Sequence, residues 1–331
     1  SLRECRPAPT HTAGRPPAVA RAALGAPVQQ AGLVPRLWRR IAGLPVKVLL
    51  LVFGPFLLLL DAKKEANNRN ARPKRIILVR HGESAGNVDK TSYQAIPDSR
   101  MPLTEVGVQQ ATAAGERIRS LIKDESVRFF FSPYTRTLQT LKAILQSFSG
   151  SSVYITSEPR LREQDFGNFQ NPQRMEEIYK ERKRFGRFYY RFPDGEAGTD
   201  VYDRVAEFWS SLYRFMDQPS RWRSEAPIEN FVVVTHGLLM RIFCMCYFRW
   251  TVAEFEQVWN PGNCEIWVLE KMPSGRYEIV GRMNDDDSVR PIKFGADQGQ
   301  PLHEHMKSPL AAREITFDSP EALDRMLEAY Q

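Results

Sequence analysis

Unbroken apolar runs alternate along this chain with stretches in which apolar positions recur every three or four residues, a pattern that predicts an α/β fold. Ile76-Ile77-Leu78-Val79 is mostly β-branched and fits a strand buried on both faces. Phe129-Phe130-Phe131 and Phe231-Val232-Val233-Val234 repeat that pattern, and Val153 to Thr156 reads as a shorter strand. The intervening segments have helical spacing. Thr104 caps one helix, which turns Gly107, Ala111, Ala114 and Ile118 toward the sheet; Thr137 to Phe148 forms a second. From Asp200 to Met216, the residues Val201, Val205, Phe208, Leu212 and Phe215 share one face, and Leu238 to Phe248 reads as a buried helix. Glu265–Glu270 and Tyr277–Met283 form a closing hairpin around Pro273-Ser274-Gly275. No internal repeat interrupts this order.

Chemistry-bearing residues follow three of these strands. Arg80-His81-Gly82 succeeds the first, Thr235-His236-Gly237 succeeds the Phe231 strand, and Ser132-Pro133-Tyr134-Thr135-Arg136 succeeds the Phe129 strand. Open α/β sheets bind ligands past the carboxyl ends of their strands, so two Arg and two His converge on one edge. That set suits a phosphate dianion. No phosphate-binding P-loop and no dinucleotide fingerprint is present, and the sequence implies neither metal nor cofactor.

The ordered residues resemble a known family. Arg80-His81-Gly82-Glu83-Ser84 with Asn87, then Pro102-Leu103-Thr104-Glu105-Val106-Gly107 with Gln110-Ala111, then Ser132 to Thr137, then Thr235-His236-Gly237, look like the histidine phosphatase superfamily in its phosphoglycerate-mutase-like branch. The resemblance spans Lys74 to Leu269. It implies a three-layer α/β/α fold with a mostly parallel central sheet, and a metal-free phosphoryl transfer to a small phosphomonoester through a phosphohistidine. His81 is then the nucleophile, with Arg80, Arg136 and His236 holding the phosphoryl oxygens and Asn87 and the Gly237 backbone as secondary contacts. The family's acid lies in a loop like Leu161-Arg162-Glu163-Gln164-Asp165-Phe166-Gly167, which points to Glu163, with Asp165 in reserve. Phosphatase is favoured over mutase because that loop looks more like the phosphatase members.

The 331 residues carry a net charge of +7, and its placement matters. Residues 1–60 hold eight Lys and Arg against Glu4 alone, leaving 38 of the 46 basic and 38 of the 39 acidic residues for the rest. Nucleic-acid binding by the main domain gains no support from a balanced surface. Residues 1–40 read as a basic, transit-like leader. Residues 41–60 form an apolar stretch with Lys47 as its single charge and Gly54-Pro55 inside it, a membrane-inserted or interfacial anchor. A signal-peptide core is the alternative, but Asp61-Ala62-Lys63-Lys64 offers no small-residue cleavage site. Residues 61–73 are a polar linker, 74–285 the catalytic domain and 286–331 a C-terminal extension that runs as coil from Arg290 to Lys307 and ends in a helix capped by Ser319. These ends favour an organellar address, the mitochondrial inner membrane first, with plastid or secretory-pathway membranes as alternatives. They also motivate a different reading, an accessory subunit of an organellar membrane complex, whether or not its site is active. Four cysteines, Cys5, Cys244, Cys246 and Cys264, make no disulfide framework.

Arg174 to Arg191 interleaves basic residues with Tyr179, Phe185, Phe188, Tyr189 and Tyr190. Two readings stand: a solvated helix with an aromatic inner face, or a cap whose Arg182, Lys183, Arg184 and Arg187 favour a second anionic group on the substrate.

Overall fold

The computed structural model describes residues 72–308 except 169, 218–226, 284–287 and 297–299, together with Leu59 and Lys63. The leader, nearly all of the 41–60 stretch, Cys5 and the helix expected at Ser319 lie outside the described residues. No helix among those described is long and apolar enough to cross a membrane.

Within the 61–331 unit, the strands and helices follow the apolar pattern. In chain order they are β1 (Arg75–Arg80), α1 (Ala85–Val88), α2 (Glu105–Ile122), β2 (Val127–Phe131), α3 (Thr135–Ile144), β3 (Tyr154–Ser157), α4 (Pro172–Phe185), α5 (Gly198–Asp217), β4 (Asn230–Thr235), α6 (Gly237–Phe248), α7 (Val252–Gln257), β5 (Ile266–Lys271), β6 (Tyr277–Met283), β7 (Val289–Arg290) and α8 (Glu304–Lys307). The seven strands form one sheet in the order β3-β2-β4-β1-β5-β6-β7. The first four run parallel, and the β5–β6 hairpin and β7 extend the sheet antiparallel.

Alternate residues of the parallel strands feed two separate cores. Ile76, Leu78, Phe130, Phe231 and Val233 pack against α5 and α6, whereas Ile77, Val79, Phe129, Val232 and Val234 pack with Ala111, Ala114, Ile118, Leu141 and Ile144 of α2 and α3. Helices therefore cover both faces, as the unbroken apolar runs require. Past residue 285 the chain is not plain coil: β7 and α8 are ordered, and Ile292, Phe294, Leu302 and Met306 are buried with the α5–α6 core. Trp250 Nε1 donates to the Met306 carbonyl at 2.7 Å.

This topology places the site. β1 and β4 are adjacent and parallel, yet the helix after β4 covers one face and α2, which follows β1, covers the other. Such a switch point opens a crevice at the carboxyl ends of the two strands.

Candidate active site

At the end of β1 the chain must turn flat against α2. A Cβ on Gly82 would come 2.3 Å from the Gly107 carbonyl oxygen, and one on Gly107 would come 2.0 Å from that of Glu83, so both positions accept only glycine. Gly82 N–H donates to Thr140 Oγ1 at 3.0 Å and Glu83 N–H to Gln110 Oε1 at 2.9 Å, pinning the loop to α3 and α2. His81 is 4 % exposed. Its Nδ1 donates to the Gly82 carbonyl at 2.7 Å; a carbonyl only accepts, so Nδ1 carries the proton and Nε2 keeps the lone pair. Burial first, then the Arg136 and Arg80 charges, hold the imidazole pKa well below its ordinary value, leaving the ring neutral.

His81 lines a cavity of about 410 Å³ with Arg80, Asn87, Arg136 and Glu163. Arg80 Nη1 donates to the Pro261 carbonyl at 2.7 Å, while its Nε is buried without a partner. Arg136 is held by Asp98, to whose two carboxylate oxygens it donates at 2.9 and 3.2 Å. Asn87 Oδ1 accepts from Ser84 N–H and from Asn263 Nδ2, both at 3.1 Å, which leaves the amide NH2 as a donor.

His236 and Gly237 sit just behind this cavity rather than on its lining. The two histidine rings meet edge to face with centroids 5.3 Å apart. Ser132 Oγ lies 2.8 Å from His236 Nε2, and His236 Nδ1 is buried without a partner. Burial and the Arg136 charge keep this imidazole neutral as well. Gly237 starts α6, and a Cβ there would lie 3.5 Å from Arg80 Nε. Two buried nitrogens near His81, Arg80 Nε and His236 Nδ1, thus have no partner among the described residues, and buried polar atoms of that kind want one.

Glu163 is fixed by its backbone. Thr235 Oγ1 donates to the Leu161 carbonyl at 2.8 Å, and buried Arg204 donates to the carbonyls of Arg160, Arg162 and Glu163 at 2.6, 2.7 and 3.1 Å. Glu196 completes the clamp, accepting from Arg204 at 3.1 Å and from Asp165 N–H at 3.0 Å, and pairing with Arg162. Desolvation raises the Glu163 pKa against the opposing Arg136 charge, so the carboxyl keeps its proton above the usual carboxylate range. Asp165 is exposed, accepts from Gly167 N–H at 2.8 Å and does not line the cavity.

The structure adds lining residues that the sequence reading lacked, among them Lys90, Tyr93, Asp98 and Asn260. Asn260 is oriented by Arg241, which is buried and donates to its Oδ1 at 3.1 Å. Only the first two turns of α4 face the cavity, through Pro172, Met175, Glu176 and Tyr179. The basic residues expected to cap it do not: Arg182 stacks on Phe192 at 5.2 Å, Arg187 Nε donates to Glu256 at 2.8 Å, and Lys183 and Arg184 are exposed. Met175 and Ile178 bury inward, and that helical phase carries the arginines past the opening. Among the described residues, Cys244, Cys246 and Cys264 are free thiols, and no cluster of His, Cys, Asp or Glu is gathered for a metal.

Comparison with known proteins agrees with this geometry. A phosphoglycerate mutase-like protein of Arabidopsis thaliana, AT74H, is 48 % identical over 233 residues, covering 67 % of this chain and 83 % of that protein. The broad-range acid phosphatase DET1 of Saccharomyces cerevisiae is 33 % identical over 292 residues, covering 61 % and 86 %. The crystal structure of a putative alpha-ribazole-5'-P phosphatase from Escherichia coli shares the fold, with a TM-score of 0.51 at 17 % identity over 66 % of this chain and all of that one. The family model of the histidine phosphatase superfamily (branch 1) matches residues 76–286, and the chain belongs to that superfamily.

Proposed function

We propose that the protein is a metal-independent phosphomonoesterase working through a phosphohistidine at His81. The observation that carries this reading is the pairing of a neutral His81, its Nε2 lone pair set by the Nδ1 bond to Gly82, with the unpartnered buried nitrogens of Arg80 and His236 beside it. In the first step Nε2 attacks phosphorus in line while the leaving alkoxide takes the Glu163 proton. Arg80, Arg136, His236, the Asn87 amide and the Gly237 N–H hold the three phosphoryl oxygens as charge develops. In the second step Glu163, now a carboxylate, takes a proton from water as that water attacks the phosphohistidine, and His81 is restored.

Phosphatase is preferred to mutase on access of water. The outer cavity wall includes Tyr179, which is 46 % exposed, and Glu176, whose side chain is 71 % exposed, whereas a mutase must shield its phosphoenzyme. The yeast relative's name supports the same choice. The basic leader and the apolar 41–60 stretch support an enzyme tethered at an organellar membrane, the mitochondrial inner membrane first; resistance of the native protein to alkaline carbonate extraction from that fraction tests the tether. The test of the activity is hydrolysis of 4-nitrophenyl phosphate by the full chain, unchanged by EDTA, with acid-labile phosphate trapped on the wild type and none on His81→Ala. Turnover that survives His81→Ala would sink the proposal.

A further inference from the structure

The cavity is chemically two-ended. Its lining cations, Arg80, Lys90 and Arg136, lie toward the His81 end: Lys90 Nζ donates to the Gly86 carbonyl of α1 at 2.8 Å and stands 5.9 Å from the Tyr93 ring centroid, and Arg136 comes from the first turn of α3. The remaining wall is made of the aromatic and apolar side chains of Tyr93, Phe166, Pro172, Met175 and Tyr179, with Gln170 and Glu176 as its polar members. Phe166 and Tyr179 stand edge-on against the fully buried Phe192, at centroid distances of 4.8 and 6.1 Å, so a rigid ring backs both. Burial raises the phenol pKa of Tyr93 to about 12, which keeps that ring uncharged.

Among the described residues, no Arg or Lys other than Arg80, Lys90 and Arg136 lines the cavity. The amides at the start of α4 are occupied, because Asn171 Oδ1 accepts from Gln173 and Arg174 N–H at 3.0 and 3.3 Å and Pro172 has none. Glu176 follows on the next turn, its carboxylate paired with the exposed Lys180 at 2.9 Å, and the α4 arginines that a bisphosphate would need are held at Phe192 or exposed. A carboxylate at this end meets Glu176 and, of the lining cations, only Lys90 at the Tyr93 edge, while an apolar group covers aromatic surface.

We propose that this site selects phosphomonoesters whose leaving alcohol has an apolar or aromatic body and no negative charge, with phospho-acids and bisphosphates as poor substrates. The inference rests on the phosphomonoesterase reading of the His81 cavity. Its test compares 2-phenylethyl phosphate with 3-phosphoglycerate on the full chain; both release alkyl alcohols, so leaving-group reactivity is matched. The expected kcat/KM ratio is at least tenfold for the phenylethyl ester. Tyr179→Ala should raise KM for that ester more than it raises the inhibition constant of inorganic phosphate, and Glu176→Lys should narrow the ratio by raising kcat/KM for 3-phosphoglycerate. Equal or better turnover of 3-phosphoglycerate, or a Tyr179→Ala enzyme with unaltered KM, overturns the inference and leaves the phosphatase standing. No turnover of either ester overturns both.

Discussion

β1 and β4 are neighbouring parallel strands, paired in step from Arg75 with Asn230 to Arg80 with Thr235, and each ends in a histidine followed by glycine. The two imidazoles leave the sheet side by side, yet they meet different surroundings. After His81 the chain turns flat against α2, and the ring's Nδ1 is tied to its own loop, leaving Nε2 at the cavity. After His236 the chain enters α6 directly, and the ring is fully buried with Ser132 at Nε2 and nothing at Nδ1. One ring thus turns a lone pair to the cavity, and the other keeps an unpartnered nitrogen buried. A repeated motif sets where two side chains lie; the backbone beyond each glycine decides which nitrogen is free, and the proposed roles of nucleophile and stabiliser rest on that difference.

Replacing each histidine in turn breaks the comparison most directly. His81→Ala removes the only covalent acceptor and should lower kcat by ~10^4-fold or more. His236→Ala removes one donor to the transferring group, for a smaller loss of ~10^2 to 10^3-fold; unlike His81→Ala it should still accumulate labelled enzyme in an acid quench. Equal losses with no label in either variant would erase the distinction.

Glu163 gives the next largest effect. Glu163→Gln should cost ~10^2-fold on an alkyl phosphate and less on 4-nitrophenyl phosphate, whose leaving group needs little protonation. The pH profile sharpens the assignment. The first step needs neutral His81, whose pKa is lowered, and protonated Glu163, whose pKa is raised. Activity therefore persists into acid below the ordinary histidine range and falls as pH rises through the Glu163 pKa. In Glu163→Gln the alkaline limb should vanish while the acid limb stays; an alkaline limb that survives assigns it to another group.

Ser132→Ala is the mildest change. It removes the hydroxyl at His236 Nε2, so the proton can settle on either nitrogen, and a loss of about tenfold or less in kcat follows with KM nearly constant. A loss as large as that of His236→Ala would show that Ser132 contacts the phosphoryl group itself.

Much of this was legible before folding because burial on two faces leaves little choice of residue. The runs Ile76 to Val79 and Phe231 to Val234 read as strands for that reason, and the histidines and arginines at their ends read as a site. The hairpin of β5 and β6 was equally plain from its turn. The Glu163 clamp was not, since Arg204 lies 41 residues from the Glu163 carbonyl it grips and reads in sequence as one more charge on a helix. Asp98 and Asn260 sit in stretches with no periodicity, and Arg136 finds Asp98 across 38 residues. The α4 arginines misled because basic residues beside a phosphate site suggest binding, while the helical phase around Met175 and Ile178 sends them elsewhere.

The sequence by itself determined the sheet, its two helical layers and the residue types at its carboxyl edge, because apolar periodicity and glycine placement are local properties of a chain. Tertiary structure alone decided that His81 Nδ1 is tied to its own loop, that desolvation raises the Glu163 pKa, and that the far wall of the cavity is largely aromatic and apolar. Each of those depends on groups distant in sequence that share one small volume, where burial and neighbouring charge fix protonation.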